Sequence, residues 1–190
     1  RATLISDDFS FKRWDIDADT SSFNLKNENP EDKEEDPLAF NTTNVSAHVS
    51  FKERLGEFNS NEGESKVNFP VNRFFCLMDK FKWYMDNAEI DMERASDKDI
   101  TIDQGVDLKG PNFYSTDPKQ DSLQFMAPKA KFNVRKKVIY CDEVEYIDIA
   151  DARISPDSMK VVIRKKAKID KFKNATIVAN YITKYHKFDQ

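Results

Sequence analysis

The stretch DSLQFMAPKAKFNVRKKVIYCDEVEYIDIADARISPDSMKVVIRKKAKI, residues 121–169, decides the fold class. Within it, Asp121-Ser122-Leu123-Gln124-Phe125 followed by Lys129-Ala130-Lys131-Phe132 returns as Asp157-Ser158-Met159-Lys160-Val161 followed by Lys166-Ala167-Lys168-Ile169. The first block returns after 36 residues and the second after 37, so one residue is inserted between them. Small-x-aliphatic triplets of the same type stand at Ala88-Glu89-Ile90, Ala152-Arg153-Ile154 and Ala175-Thr176-Ile177. Short strand-like units that recur cannot bury a face alone and do so by stacking on their neighbours. The expectation is an elongated, stacked all-β repeat, either a β-solenoid or a folded-over β-sheet. A scaffold or conduit fits that architecture better than an enzyme does.

Working outward, strand periodicity holds along most of the chain. Phe9 and Phe11, Trp14 and Ile16, Phe23 and Leu25, then Val45, Ala47, Val49 and Phe51 alternate with polar neighbours, as half-buried strands do. Val67, Phe69 and Val71 continue the pattern, with Pro70 marking a strand end or an edge. From Ala88 the alternation resumes through Ile90 and Met92, then Ile100 and Ile102, and so on to Ala179. Turns are expected at residues 59–65, 108–111, 117–118, 133–137, 155–157 and 171–174, the frequent punctuation of an all-β array. One stretch is two-sided. In residues 73–84, Phe74, Leu77, Met78 and Phe81 have helical spacing, while Phe81, Trp83 and Met85 alternate as a strand. Strand is preferred there, with at most one short helix. No long helical segments separate the strands, so parallel βαβ units are excluded.

Composition narrows the function classes. Charged residues make up 34% of the chain and hydrophobic residues 39%, enough for a thin core that leans on its 15 phenylalanines. The 4 glycines argue against primed two-residue hairpins, which need positive φ, and against Gly-rich calcium β-rolls. A net charge of −4 provides no footprint for nucleic acid. The acidic stretch Glu28 to Pro37 reads as a solvated loop, and the lysines of residues 129–187 as the outward half of alternating strands. Cys76 and Cys141 sit in apolar runs without metal-ligand spacing; they read as buried free thiols, with a single disulfide as the alternative. No apolar run of about 18 residues is present, so no transmembrane segment is expected. The chain divides into an N-terminal β segment, 1–66, and a β-repeat segment, 67–190, or forms one continuous domain. Strand-like residues reach both ends, so it reads as a piece of something larger.

Catalytic groupings are sparse. His48 and His186 stand on polar strand faces far apart. Asp15, Asp17 and Asp19 point one way along a strand and read as a solvated acidic face rather than a calcium site. No P-loop, dinucleotide fingerprint or nucleophile elbow occurs, so neither catalytic residues, metal ligands nor a cofactor are expected. What remains is binding. Leu123, Phe125, Phe132, Val161 and Ile163 would line an open apolar stripe for an acyl chain or a partner strand. Phe113 and Tyr114, beside Pro111, are candidate exposed contacts, and Trp83 and Tyr114 would stack on sugars in a carbohydrate-binding β-sandwich, the alternative reading. The uncapped C-terminal end predicts pairing by β-strand addition, with a protein partner or with the rest of the parent chain.

The run 105–180 resembles the repeats of OstA-like lipopolysaccharide-transport proteins, most closely at Phe125-Met126-Ala127-Pro128-Lys129-Ala130-Lys131-Phe132. From Asn68 onward the chain also resembles a large uncharacterised family of Bacteroidetes envelope-associated proteins. That likeness rests on Phe69-Pro70-Val71-Asn72-Arg73-Phe74, Trp83, Ser115-Thr116, Gln120-Asp121, residues 125–132 and residues 147–156. The resemblance implies a location in the bacterial cell envelope, periplasmic or outer-membrane associated, and a lipid- or lipopolysaccharide-binding β conduit. It carries no known activity. It also makes Asp121-Ser122-Leu123 and Asp157-Ser158-Met159 similar to an O-glycosylation signal, where local chemistry alone reads a turn opening each unit.

Overall fold

A computed structural model describes residues 1–30, 33, 35–61, 63–94 and 110–179. The fold is all-β. Its strands are β1 (Ala2–Ile5), β2 (Asp8–Phe11), β3 (Asp15–Lys26), β4 (Leu38–Ser50), β5 (Leu55–Ser60) and β6 (Ser65–Phe69). Then come β7 (Phe74–Met78), β8 (Lys80–Tyr84), β9 (Glu89–Glu93), β10 (Phe113–Ser115), β11 (Gln124–Phe125) and β12 (Lys129–Asn133). The last are β13 (Val138–Asp142), β14 (Ile147–Ile149), β15 (Ala152–Pro156), β16 (Val161–Ile163) and β17 (Ala175–Ala179). Expected strand residues Ile100 and Ile102, the turn residues Leu108 and Lys109, the strand-like residues 181–188 and His186 lie outside the described residues.

All pairings are antiparallel, and the single sheet splits in two at its long strands. The first half of β3 pairs β2 and the second half of β4, from where the order runs β5, β8, β9, β12, β13, β16. The second half of β3 pairs β1 and the first half of β4, from where the order runs β6, β7, β10, β11, β14, β15, β17. After β4 the chain lays hairpins alternately in one layer and the other. The corner sits where β3 and β4 bend. Thr20 and Asn44 take positive φ, 49° and 58°, and the register slips between Ala18 and Phe23. Two bonds tie the bend: buried Ser21 donates from Oγ to the Val45 carbonyl at 2.8 Å, and Asn61 N–H donates to the Asn44 carbonyl.

Between the layers lies one core cluster that takes residues from both. Phe23, Phe40, Phe58, Phe81, Phe69 and Phe132 form its centre, and Phe69 of one layer meets Phe132 of the other at 5.0 Å between ring centroids. Fully burying each ring contributes roughly 1.5–3 kcal/mol, with edge-to-face pairs adding to it, so phenylalanine richness is how a thin sandwich gathers enough apolar area. The expected boundary at 66/67 falls inside β6, and the core runs across it. Cys76 and Cys141 are free and buried, and burial pushes both thiols above their ordinary range.

One open reading resolves and two others need correction. First, residues 73–84 are strand, as preferred: they form β7 and β8, and the described helical turns are 3₁₀ pieces at Pro70–Asn72 and Pro118–Gln120. Inward-facing Phe74, Cys76 and Met78 are buried, so period two wins over the helical spacing. Second, the two Asp-Ser units are not neighbouring rungs. Leu123 and Phe125 lead into β11 in one layer, Val161 opens β16 in the other, and Lys166-Ala167 form a left-handed turn where Lys129–Phe132 form a strand. Phe132 connects to Ile169 only through Ile139 and Ile163, three pairings along one row. The recurring geometry has another phase. Loops 51–54, 85–88 and 134–137 each end on a left-handed residue, Arg54, Ala88 and Lys137, at φ 58°, 52° and 54°. Met85 N–H donates to the Arg54 carbonyl and Val134 N–H to the Ala88 carbonyl, which stacks the loops. Four-residue loops of this kind need no glycine pair, which is how so few glycines suffice.

Third, the acidic stretch is only partly solvated. The Glu35 carboxylate lies 3.0 Å from Nζ of Lys137 and 3.3 Å from Nζ of Lys165, and Lys137, 3% exposed, also donates to the Asn29 carbonyl. The loop between β3 and β4 is thereby clasped onto hairpins distant in the chain.

Candidate functional site

Leu123, Phe125, Phe132, Val161 and Ile163 do come together, but inside: all are 0–4% exposed. They face one another across the two layers, so the open apolar stripe is replaced by a closed core. Phe113 is likewise buried; it lies in β10, not in a turn, with its ring parallel to that of Phe125 at 5.2 Å. Tyr114 points outward, half-buried, stacked on Phe75 at 4.9 Å, and its hydroxyl donates to the Pro111 carbonyl. The stack occupies one face of each ring.

Among the expected contact residues, Trp83 reaches a cavity. Its side chain, half-buried against Phe23 at 5.3 Å, floors a groove of about 380 Å³ on the flank of the sandwich. One wall is the stacked loop ladder, whose leading residues Phe51, Met85 and Val134 form an apolar row. The other wall is Ala2, the end of β3 at Leu25 and Lys26, and Glu28 and Asn29. Arg54 and Arg135 converge at the rim, both donating to Asp86: Arg54 Nε to the carboxylate at 3.0 Å, Arg135 to the main-chain carbonyl at 3.2 Å. Gly56 makes room for the Phe58 ring. A Cβ there would stand 2.9 Å from the Phe58 ring and 3.4 Å from the Trp83 ring.

The sheet's two ends form a second candidate surface. Most of the exposed large hydrophobic residues gather there: Ile5, Phe11 and Trp14 at the β1–β2 end, Met159, Ile177 and Val178 at the β16–β17 end. On the β16 side, the edge is covered by the chain's own return, where Ile169 bridges Ile163 and Arg164 forms a bidentate pair with Asp170 at 2.5 and 2.7 Å. On the β17 side nothing covers it among the described residues: β17 pairs β15 alone and is exposed along its whole length, Ile177 at 64%. Such an edge is a template for another strand.

The outer face of one layer carries a shallow depression of about 360 Å³ lined in part by Asp17, Asp19 and His48. Across the same layer the register aligns Asp17, His48, Glu57, Lys82, Asp91 and Lys131 in a row of cross-strand polar pairs, with His48 hydrogen-bonded to Asp17 at 2.6 Å and Lys82 ion-paired to Glu57 at 2.7 Å. Hydrogen bonds from His48 and Lys12 hold the Asp17 carboxyl below its ordinary value. Exposed pairs of this type add little stability but set register. Among the described residues, no group of three or more His, Cys, Asp or Glu is placed to hold a metal ion, and no helix is long and apolar enough to cross a membrane.

Several structural residues had no signal in the pattern. Buried Asn112 donates to the Ala127 carbonyl at 3.0 Å and accepts from Ala127 N–H at 2.8 Å, stitching the crossing between layers. Buried Asn72 donates to the Lys137 carbonyl at 2.9 Å. Polar residues at such joints look like loop residues until the chain is folded. No protein-family model matches the chain, and no curated protein matches it.

Proposed function

We propose that this chain is a non-catalytic structural segment of the bacterial cell envelope that joins further β-structure through the edge at β17. The observation that carries the reading is β17, an apolar strand of Ala175-Thr176-Ile177-Val178-Ala179 with one partner and no covering layer among the described residues. Charge supports a match between ends. The β1–β3 end carries Asp7, Asp8, Asp15, Asp17 and Asp19 against Lys12 and Arg13, and the β16–β17 end carries Lys160, Arg164, Lys165, Lys166, Lys168, Lys171 and Lys173 against Asp157 and Asp170, so the two ends keep opposite signs. The envelope location rests on the resemblance to OstA-like and Bacteroidetes envelope proteins. A conduit for lipid through the middle is not part of the proposal, because the residues that would line it are closed core.

Sedimentation velocity over a concentration series, combined with hydrogen exchange at Thr176–Val178, tests the joining function. Association that protects these amides, weakens with salt and is lost in Ile177→Lys supports it. A monomer at every concentration, with β17 never gaining protection, overturns it.

A further inference from the structure

The flank groove has a composition that the joining function does not use. Its floor and inner wall are apolar, from Leu25, Phe51, Trp83, Met85 and Val134, and Phe51 stands 47% exposed at the mouth. Its lining nevertheless holds five cationic side chains, Arg1, Lys26, Arg54, Arg135 and Lys137, against the one carboxylate of Glu28. In a chain of net charge −4 that is a local reversal of sign. Lys137 is already matched by Glu35, whereas the guanidinium groups of Arg54 and Arg135 share the single residue Asp86. A pocket of about 380 Å³ lies in the range that holds small ligands, and its pairing of apolar floor with cationic rim is selective. An inorganic anion would leave the floor wet, and a neutral hydrocarbon would leave the rim unmatched. A cation would meet repulsion.

We infer that the groove binds a single-chain anionic amphiphile, its alkyl chain lying over Trp83 and Met85 and its carboxylate or phosphate head between Arg54 and Arg135. The occupant sits on the flank, outside the closed core. Its site is separate from the β17 edge, so the two functions stand or fall independently. Arg54 supplies a planar fork suited to two oxygens of one head group, which a lysine would not.

The test uses the chain with Trp14→Phe, leaving Trp83 as the sole tryptophan, and Ile177→Lys to suppress association. Dodecanoate, dodecanol, dodecyltrimethylammonium and inorganic phosphate are titrated below micellar concentrations, and 11-bromoundecanoate serves as a contact quencher of Trp83. Saturable binding of dodecanoate, quenching by the brominated chain and no competition from phosphate are expected. Arg54→Gln with Arg135→Gln should weaken dodecanoate at least tenfold and leave dodecanol within twofold. Should that double variant not fold, Arg135→Gln alone, which gives up only a bond to the Asp86 main-chain carbonyl, should weaken dodecanoate in the same sense. Equal binding of the cationic amphiphile, absence of quenching, or displacement by phosphate alone would each overturn the assignment.

Discussion

Neutralising Glu35 tests how the fold is held together across its longest chain separations. Glu35→Gln keeps the shape of the side chain and removes the charge that faces Lys137 at 3.0 Å and Lys165 at 3.3 Å. Removing one partner of a buried pair leaves an uncompensated charge, which costs about 3–5 kcal/mol. The lower figure applies here. Lys137 still donates to the Asn29 carbonyl, and Lys165, with its side chain 23% exposed, can turn toward water. We therefore expect a loss of about 3 kcal/mol, and at about 2–4 °C per kcal/mol for a chain of this size the melting temperature should fall by roughly 6–12 °C. Urea unfolding followed by tryptophan fluorescence, with calorimetry in parallel, measures it. Adding Lys137→Met should restore much of the loss, because an apolar side chain of similar length replaces the stranded charge. A single variant within 0.5 kcal/mol of the parent, or a double variant that is additive, refutes the clasp.

Three further outcomes follow from the same geometry. Gly56→Ala places a methyl group 2.9 Å from the Phe58 ring and should cost about 1–3 kcal/mol as an overpacking defect, with a changed Trp83 emission as its local sign. Ala88→Gly, at φ 52°, relieves a left-handed alanine and should stabilise by about 0.5–1 kcal/mol in the same urea assay; a destabilisation would mean that the loop ladder is not strained there. Asp117 is held below its ordinary value by the Lys119 N–H and by Arg73 at 2.8 Å. Because its folded value is depressed, its contribution is present above the unfolded carboxylate range and disappears as pH falls through the folded value. Asp117→Asn should therefore lower the urea midpoint at pH 7 and flatten its decline below about pH 4; an unchanged acid limb would show that the Arg73 pair is not coupled to folding.

What the chain order alone determined was local. Period-two alternation placed inward and outward residues correctly from Val45 to Val49 in β4 and along β6, β9 and β12, because a pleated strand with one dry face permits no other arrangement. Phe51, read as the next inward residue, instead falls in a loop and is 47% exposed. The same pattern identified Phe125, Phe132, Val161 and Ile163 as one apolar set. Only the tertiary structure decided that this set is a closed core, since whether a second layer covers a face depends on where the hairpins go. That routing is set at the bend of β3 and β4 near Thr20 and Asn44, a site with no strong signature of its own. The Asp-Ser similarity suggested neighbouring rungs, yet turn chemistry is short-range and is reused wherever a hairpin begins, so like turns fell in opposite layers. Glu35, Lys137, Asn72 and Asn112 carry ordinary loop character in the sequence and become structural only when folding removes water from around them. The flank groove has the same origin: Phe51, Trp83, Val134 and Leu25 are scattered along the chain, and only stacked loops on one wall and the end of β3 on the other bring them within reach of one ligand.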